Sequence, residues 1–350
     1  MMEKLQKAIE AVRPLDERAM EETRRRLDRL TKPPGSLGRL EELAVQLAGI
    51  AGTSELAVVR KAVVVMAGDH GVCEEGVSAF PQEVTGQMVL NFLNGGAAIN
   101  VLAGQAGADV VCVDMGIKAQ LKDERLISRN VRAGTANIVR GPAMTREEAV
   151  RAVEAGIGLA EELAAQGVGV LATGEMGIGN TTPSSAMLAA LCGLEPEDVV
   201  GRGTGVDEAG LVRKREAVAS AIRTNRPDSE DPLDVIAKVG GLEIAGLAGL
   251  VIGAAANRLP VVIDGFISTV AALVACRLVP AAQAYLIPSH LSEERGHRLA
   301  LGQLGLDPLL HLGMRLGEGT GAALCFPLLD AAVQVLNKMA TFDSAGVSES

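Results

Sequence analysis

Four stretches of the chain run apolar almost without interruption and then stop on a glycine-bearing polar turn. They are KAVVVMAGDHGV at 61 to 72, ADVVCVDMG at 108 to 116, VGVLATGEMG at 168 to 177 and VVIDG at 261 to 265. Continuous Val- and Ile-rich runs, instead of apolar–polar alternation, predict strands covered on both faces, as in a parallel sheet. AYLIPSH at 284 to 290 predicts one more short strand. Helical spacing fills the intervals: TREEAVRAVEAGIGLAEELAAQG predicts an amphipathic helix whose Thr145 and Glu148 form a capping box. Alternation of strand and helix predicts an α/β fold built from right-handed crossover units.

The two ends of the chain read differently. Residues 1 to 30 repeat charged and apolar positions at helical spacing, with Leu5, Ile9, Val12, Leu27 and Leu30 as the expected contact positions. TKPPGSLGR at 31 to 39 breaks that pattern, and its Lys32 and Arg39 are open to an anion-binding or a structural reading. Residues 311 to 339 are Ala- and Leu-rich, with Pro327 marking a kink or boundary, and the tail TFDSAGVSES reads as frayed. Residues 118 to 142 read as a long polar loop. The most apolar region, 240 to 260, carries Glu243 among Gly and Ala and is expected to be a buried helix and not a membrane span.

Composition narrows the function. With 43 acidic against 33 basic residues, no tryptophan and 2% aromatics, the chain lacks the basic footprint and stacking surface of a nucleic-acid binder. The one dense basic run, ETRRRLDR, reads as a solvated helix face. Five cysteines without CxxC spacing fit a reducing cytoplasm, and the charged N-terminus carries no apolar leader pattern. Asp69 and His70 invite a metal reading, but the four histidines show no metal-ligand spacing.

Candidate chemistry collects where the apolar runs end. LATGEMGIGNTTPSS places Glu175 at a strand end, followed by Gly177, Gly179, Asn180 and Thr181. GRGTG supplies Gly203, Thr204 and Gly205 ahead of a helix with Lys214, so backbone amides, helix-end charge and a lysine together make a phosphate site. Neither GxxxxGK[ST] nor a dinucleotide GxGxxG is present. Ser78, Phe80, Gln87 and Met88 are positioned to line a pocket, although Phe80 and Met88 also suit a core. Asp264 and Ser289, with His290 and His297 near the latter, are further rim candidates, and no GxSxG elbow precedes Ser289. Glu318 stands between two glycines before an Ala-rich helix, where it suits close approach to a substrate or a helix cap.

Together LTKPPGSLGRLEELA, MAGDHGV, GVSAFPQEVTGQM, TGEMGIGNTTPSSA, GRGTGVD, GGLEIAGLAG, DGFISTVAAL, SHLSEERGH and LGMRLGEGTGAALCFPLLDAA resemble the nicotinate-nucleotide:dimethylbenzimidazole phosphoribosyltransferase family over nearly the whole chain. The resemblance implies a three-layer Rossmann-like α/β domain with a parallel sheet, at 61 to 310. It also implies a smaller helical domain from both chain ends, 1 to 60 and 311 to 350. It implies a homodimer that uses no metal or bound redox cofactor, while composition and the N-terminus point to a cytoplasmic protein that binds neither nucleic acid nor membrane. The implied reaction moves a phosphoribosyl group from nicotinate mononucleotide to 5,6-dimethylbenzimidazole, giving α-ribazole 5'-phosphate and nicotinate with anomeric inversion. By resemblance Glu318 is the general base, with Glu175 assisting. Gly177, Gly179, Asn180, Thr181, Gly203, Thr204, Gly205 and Lys214 then hold ribose and phosphate, and Ser78, Phe80, Gln87 and Met88 the acceptor.

Overall fold

A computed structural model describes residues 2–348 of the chain. Six strands form one all-parallel sheet: β1 (Arg60–Gly68), β2 (Ala108–Gly116), β3 (Ile127–Ser128), β4 (Val168–Met176), β5 (Val261–Ile263) and β6 (Leu286–Pro288). Their order across the sheet is β3-β2-β1-β4-β5-β6, so the winding reverses between β1 and β4. That is the Rossmann-type order, in which ligands bind outside the carboxyl ends of the strands at the reversal.

The apolar runs are explained by two cores. Along β1, Ala62, Val64 and Met66 face one core, while Val63, Val65 and Ala67 face the other. The two-residue period of a strand sends neighbours to opposite faces. With both faces covered by helices, β1 is apolar from Ala62 to Ala67, and the one charged residue buried in it, Lys61, is paired with Asp330 at 2.5 Å. On the first face, helix Arg146–Ala165 lies against helix Leu242–Ala256 at glycine contacts: a Cβ on Gly156 would come within 1.9 Å of Gly246 O, and one on Gly249 within 1.9 Å of Val153 O. The Gly/Ala-rich stretch is therefore a buried helix, as its composition predicts. The capping box of Thr145 and Glu148 is formed.

The second face carries helices Arg39–Ala51, Ala98–Gln105 and Thr320–Lys338. By length and composition Thr320–Lys338 alone among the described helices could cross a membrane, but 56% of its apolar window is buried in this fold, and it packs on β1, β4 and β5. Pro327 sits inside this helix and neither ends nor bounds it.

Several local expectations are corrected. Residues 1 to 30 form two helices, Glu3–Ala11 and Glu17–Asp28, parted around Pro14. The first run of strand ends at Gly68, and Gly71–Glu75 is a 3-10 turn. The polar segment after β2 contributes the edge strand β3, paired through Val113 and Asp114. Arg26, on the basic run, is not merely solvated: its guanidinium donates to the carbonyls of Leu336 (2.6 Å) and Asn337 (3.4 Å), which terminate the Thr320 helix. The tail is not frayed where it is described, since Thr341 bridges Leu30 and Phe342–Ala345 is helical; residues 349 and 350 lie outside the described residues. Lys32 is buried against Glu41 at 2.8 Å, which gives it a structural role, while Arg39 stays on the surface in a pair with Glu42 at 2.6 Å.

Candidate active site

A cavity of about 380 Å³ opens at the carboxyl ends of β4 and β5, beside the reversal of the sheet. Glu175, Gly177, Asn180 and Thr181 supply its floor, Gly203 and Thr204 one side, Phe80, Val84 and Met88 an apolar side, and Arg315 to Glu318 the remaining wall. Residues remote in sequence thus share one concave surface.

Glu318 owes its position to backbone strain. Its φ is +64°, between Gly317 at +89° and Gly319 at +92°, a run of left-handed residues that a non-glycine side chain adopts only at a cost. The loop presses on β4 so closely that a Cβ on Gly174 would lie 2.5 Å from Glu318 O. The Glu318 side chain is buried, and its carboxylate accepts a long bond from Ile99 N at 3.4 Å, at the start of the Ala98 helix. Burial, with Asp264 nearby, raises its pKa above the ordinary carboxylate value.

Asp264 does the capping that sequence left open for Glu318. Its carboxylate accepts from Gly319 N (3.1 Å), Gly321 N (2.8 Å) and Ala322 N (3.1 Å), holding the first turn of the Thr320 helix. Burial pushes its pKa up to about 7, while the amides of Ala322, Gly319 and Gly321 pull the other way. It is a buried strut and does not line the cavity. Ser289 is also enclosed: its hydroxyl donates to Asp264 O at 3.2 Å and meets His290 Nδ1 at 3.1 Å. His290 is the residue of that pair that reaches the cavity. His297 accepts Ser292 N at Nδ1 (2.8 Å), which leaves Nε2 to donate to Thr269 Oγ1 (2.9 Å), so it is a neutral core histidine; burial, with His290 beside it, depresses its pKa to about 3.

Glu175 is the next-to-last residue of β4, opposite Met66 of β1. Asn180 Nδ2 donates to its carboxylate. Burial pushes its pKa up to about 7 against that bond, with Asp264 and Glu243 adding repulsion. Under the adjacent Gly177 lies a buried pair not expected from sequence, His70 Nε2 to Glu243 Oε1 at 2.7 Å. The carboxylate is walled by backbone: a Cβ on Gly68 would come within 2.8 Å of Glu243 Oε2, and one on Gly177 within 3.2 Å of Oε1. Burial alone would lower the His70 pKa, but Glu243, with Asp69 and Glu175 behind it, outweighs that and raises it. Asp69 is spent on Lys118 N at 2.8 Å. Among the described residues no group of three His, Cys, Asp or Glu side chains could hold a metal ion.

The phosphate candidates separate. Lys214 is 1% exposed, does not line the cavity, and donates through Nζ to Thr181 Oγ1 at 2.7 Å. Burial lowers its pKa to about 8, opposed by Glu294. Gly203 closes over the Lys214–Thr181 contact at φ +52°, in the left-handed region that favours glycine, and a Cβ there would lie 2.7 Å from both Lys214 Nζ and Thr181 Oγ1. Gly179, at φ +86°, turns the loop and backs onto Cys73, while Gly205 faces a neighbouring cavity. On the acceptor side Phe80 and Met88 line the cavity, Ser78 Oγ instead meets Thr204 Oγ1 at 3.2 Å, and Gln87 is exposed outside it. His290, a rim candidate beside Ser289 in the sequence, does line the cavity, whereas sequence reasoning missed Val84 and Arg315; both lie inside motifs already singled out, GVSAFPQEVTGQM and LGMRLGEGTG, so the signal was present without a reason to prefer those positions.

A Rossmann-type sheet with buried carboxylates and a glycine- and hydroxyl-rich wall at its switch point suits transfer of a phosphorylated sugar, and residues 12–347 match the family described as Phosphoribosyltransferase. The enzyme from Geobacter metallireducens named nicotinate-nucleotide–dimethylbenzimidazole phosphoribosyltransferase is 55% identical over 99% of this chain and 98% of its own. Its counterpart from Roseiflexus sp. is 57% identical, covering 99% of both. The crystal structure of the Thermus thermophilus enzyme superposes with a TM-score of 0.91 at 51% identity, over 96% of this chain and 100% of that one. The chain belongs to the nicotinate-nucleotide–dimethylbenzimidazole phosphoribosyltransferase family.

Proposed function

We propose that the protein transfers the 5-phosphoribosyl group of nicotinate mononucleotide to 5,6-dimethylbenzimidazole, releasing nicotinate and α-ribazole 5'-phosphate. The observation that carries this reading is the convergence of Glu175 and Glu318, both buried and both raised in pKa, on one cavity with a polar glycine wall and an apolar wall. The bond from the anomeric carbon to the pyridinium nitrogen breaks and its electron pair stays on nicotinate, whose ring becomes neutral, so the leaving group needs no acid. A benzimidazole nitrogen forms the new bond from the opposite face, inverting the centre. Its second ring nitrogen becomes acidic as the bond forms, and Glu318 takes that proton. Glu175 stabilises the cationic character that develops on the ribosyl carbon.

In this reading the ribose and phosphate lie along Gly177, Asn180, Thr181, Gly203 and Thr204, and Lys214 acts from behind through the Thr181 hydroxyl. Phe80, Val84, Met88 and Leu316 take the planar acceptor, Phe80 being 53% exposed and leaving that side open. A methyl-sized difference in such a pocket is discriminated only weakly, by about 1–3 kcal/mol. Other benzimidazoles or purine-like bases are therefore the second reading. We read the enzyme as a cytoplasmic homodimer, in keeping with its five free cysteines. The test is to incubate purified protein with nicotinate mononucleotide and 5,6-dimethylbenzimidazole, alone and with competing bases. Mass detection of α-ribazole phosphate and nicotinate in equal amounts is expected. Binding of the mononucleotide without product would overturn the reading, and preferential consumption of a competitor would shift it to the second.

A further inference from the structure

Arg315 is the only lysine or arginine among the residues that line the active cavity. It makes no ion pair and no side-chain hydrogen bond among the described residues, and it is exposed. Its backbone is nonetheless held, because Glu293 N donates to Met314 O at 2.9 Å and the strained 317 to 319 turn follows directly. The same side chain lines a second cavity of about 370 Å³ on the far side of the Gly201–Gly205 loop. There it stands with Arg202, Arg215 and Arg295, and with Glu293 and Glu294 as the acidic members. Arg202 is paired with Glu208, and Arg295 is turned to Asp198. Arg215 Nε is buried without a hydrogen-bond partner. An enclosed lysine on one side and an uncommitted guanidinium on the other bracket the loop.

From this geometry we infer that Arg315 is the cation that holds an anionic oxygen group of the donor nucleotide, so that the donor is gripped from the wall that carries Glu318. The inference rests on the donor reading proposed above. A guanidinium offers a planar fork of donors that fits phosphate and carboxylate alike. Nicotinate mononucleotide carries both, a 5'-phosphate and a ring carboxylate. The phosphate is the expected partner, because Arg315 is shared with the cavity behind the Gly201–Gly205 loop, and Gly203 and Thr204 of that loop form the wall where the sugar phosphate lies. The free cation also binds a substrate to a wall otherwise dominated by carboxylates, Glu175, Glu294 and Glu318, which would repel an anionic donor.

The test compares wild-type protein with Arg315→Gln and Arg315→Lys on three donors: nicotinate mononucleotide, its amide analogue nicotinamide mononucleotide, and its dephosphorylated nucleoside. Wild-type turnover of the first donor establishes the underlying reaction independently. With it, Arg315→Gln is expected to lower kcat/KM about ten- to a hundredfold, chiefly through KM, and Arg315→Lys to recover part of the loss. The loss should persist with the amide analogue and vanish with the nucleoside. Disappearance with the amide analogue instead assigns the carboxylate as the group held and still supports the inference. An equal loss on all three donors, or none on nicotinate mononucleotide, overturns it. Since Arg315 is exposed and unpaired, circular dichroism and Tm should be unchanged in both variants.

Discussion

Glu318 and Glu175 are two carboxyl groups placed in different ways, and single-atom substitutions separate them. Glu318 sits on a left-handed turn with one long amide contact, so little in the protein holds its charge, and burial and Asp264 both favour the neutral acid. Its proton affinity is raised toward that of the group it must relieve of a proton. Glu318→Gln keeps the shape and removes the base; the expected loss in single-turnover rate is on the order of 10²–10⁴ at saturating substrates. Near-wild-type chemistry would remove Glu318 from the base role. Because the folded pKa lies above the ordinary value, wild-type kcat should fall as pH drops through that raised pKa, and this acid limb should be absent from the residual activity of Glu318→Gln.

For Glu175 the informative readout is stability. Folded, its carboxyl holds a proton up to about pH 7, whereas an unfolded chain releases it near 4.5. Between those values the unfolded state binds fewer protons, so stability is lost as pH rises through the window, and the full penalty is present above about pH 7. Glu175→Gln carries no such penalty. It should be more stable than wild type by on the order of 1–3 kcal/mol at pH 8 and gain nothing at pH 4, while turning over more slowly. Urea unfolding at the two pH values measures this, and a difference that does not depend on pH would show that Glu175 ionises normally.

Among elements, the decisive joint is the one between the end of β5 and the Thr320 helix. Asp264 satisfies three amides that the helix start would otherwise leave orphaned. An amide side chain cannot accept from all three, so Asp264→Asn should cost on the order of 1–3 kcal/mol in unfolding free energy. The larger effect should fall on kcat, since the same amides position the Glu318 turn; unchanged kcat in a folded variant would detach that turn from Asp264. Helix ends whose caps are local were legible from sequence, as with Thr145 and Glu148. This cap was not, because its acceptor stands 55 to 58 residues away along the chain. The same holds for Arg26, whose carbonyl partners lie at the opposite end of the sequence.

For the whole molecule, the sheet reverses between β1 and β4, and the two chain ends meet across its second face, where helices Arg39–Ala51 and Thr320–Lys338 pack together. If the homodimer reading holds, light scattering on purified protein should give twice the 36.1 kDa chain mass across a wide dilution range; a monomer mass at concentrations that sustain turnover would exclude an obligate dimer.

The apolar runs by themselves determined the buried parallel strands, and the glycine-bearing polar turns after them marked the rim, because a strand covered on both faces is written as a near-continuous apolar run and glycine lets a ligand approach the backbone closely. Motif composition likewise singled out Glu175, Glu318 and the two glycine loops. Only the tertiary structure decided which polar groups face the cavity. It turned Asp264 and Ser289 inward as struts, enclosed Lys214 behind Thr181, left Gln87 outside, and brought His290 and Arg315 in. The reason is that exposure and partnership are set by what packs across from a residue, and for these positions the opposing groups come from distant parts of the chain, where local pattern carries no information.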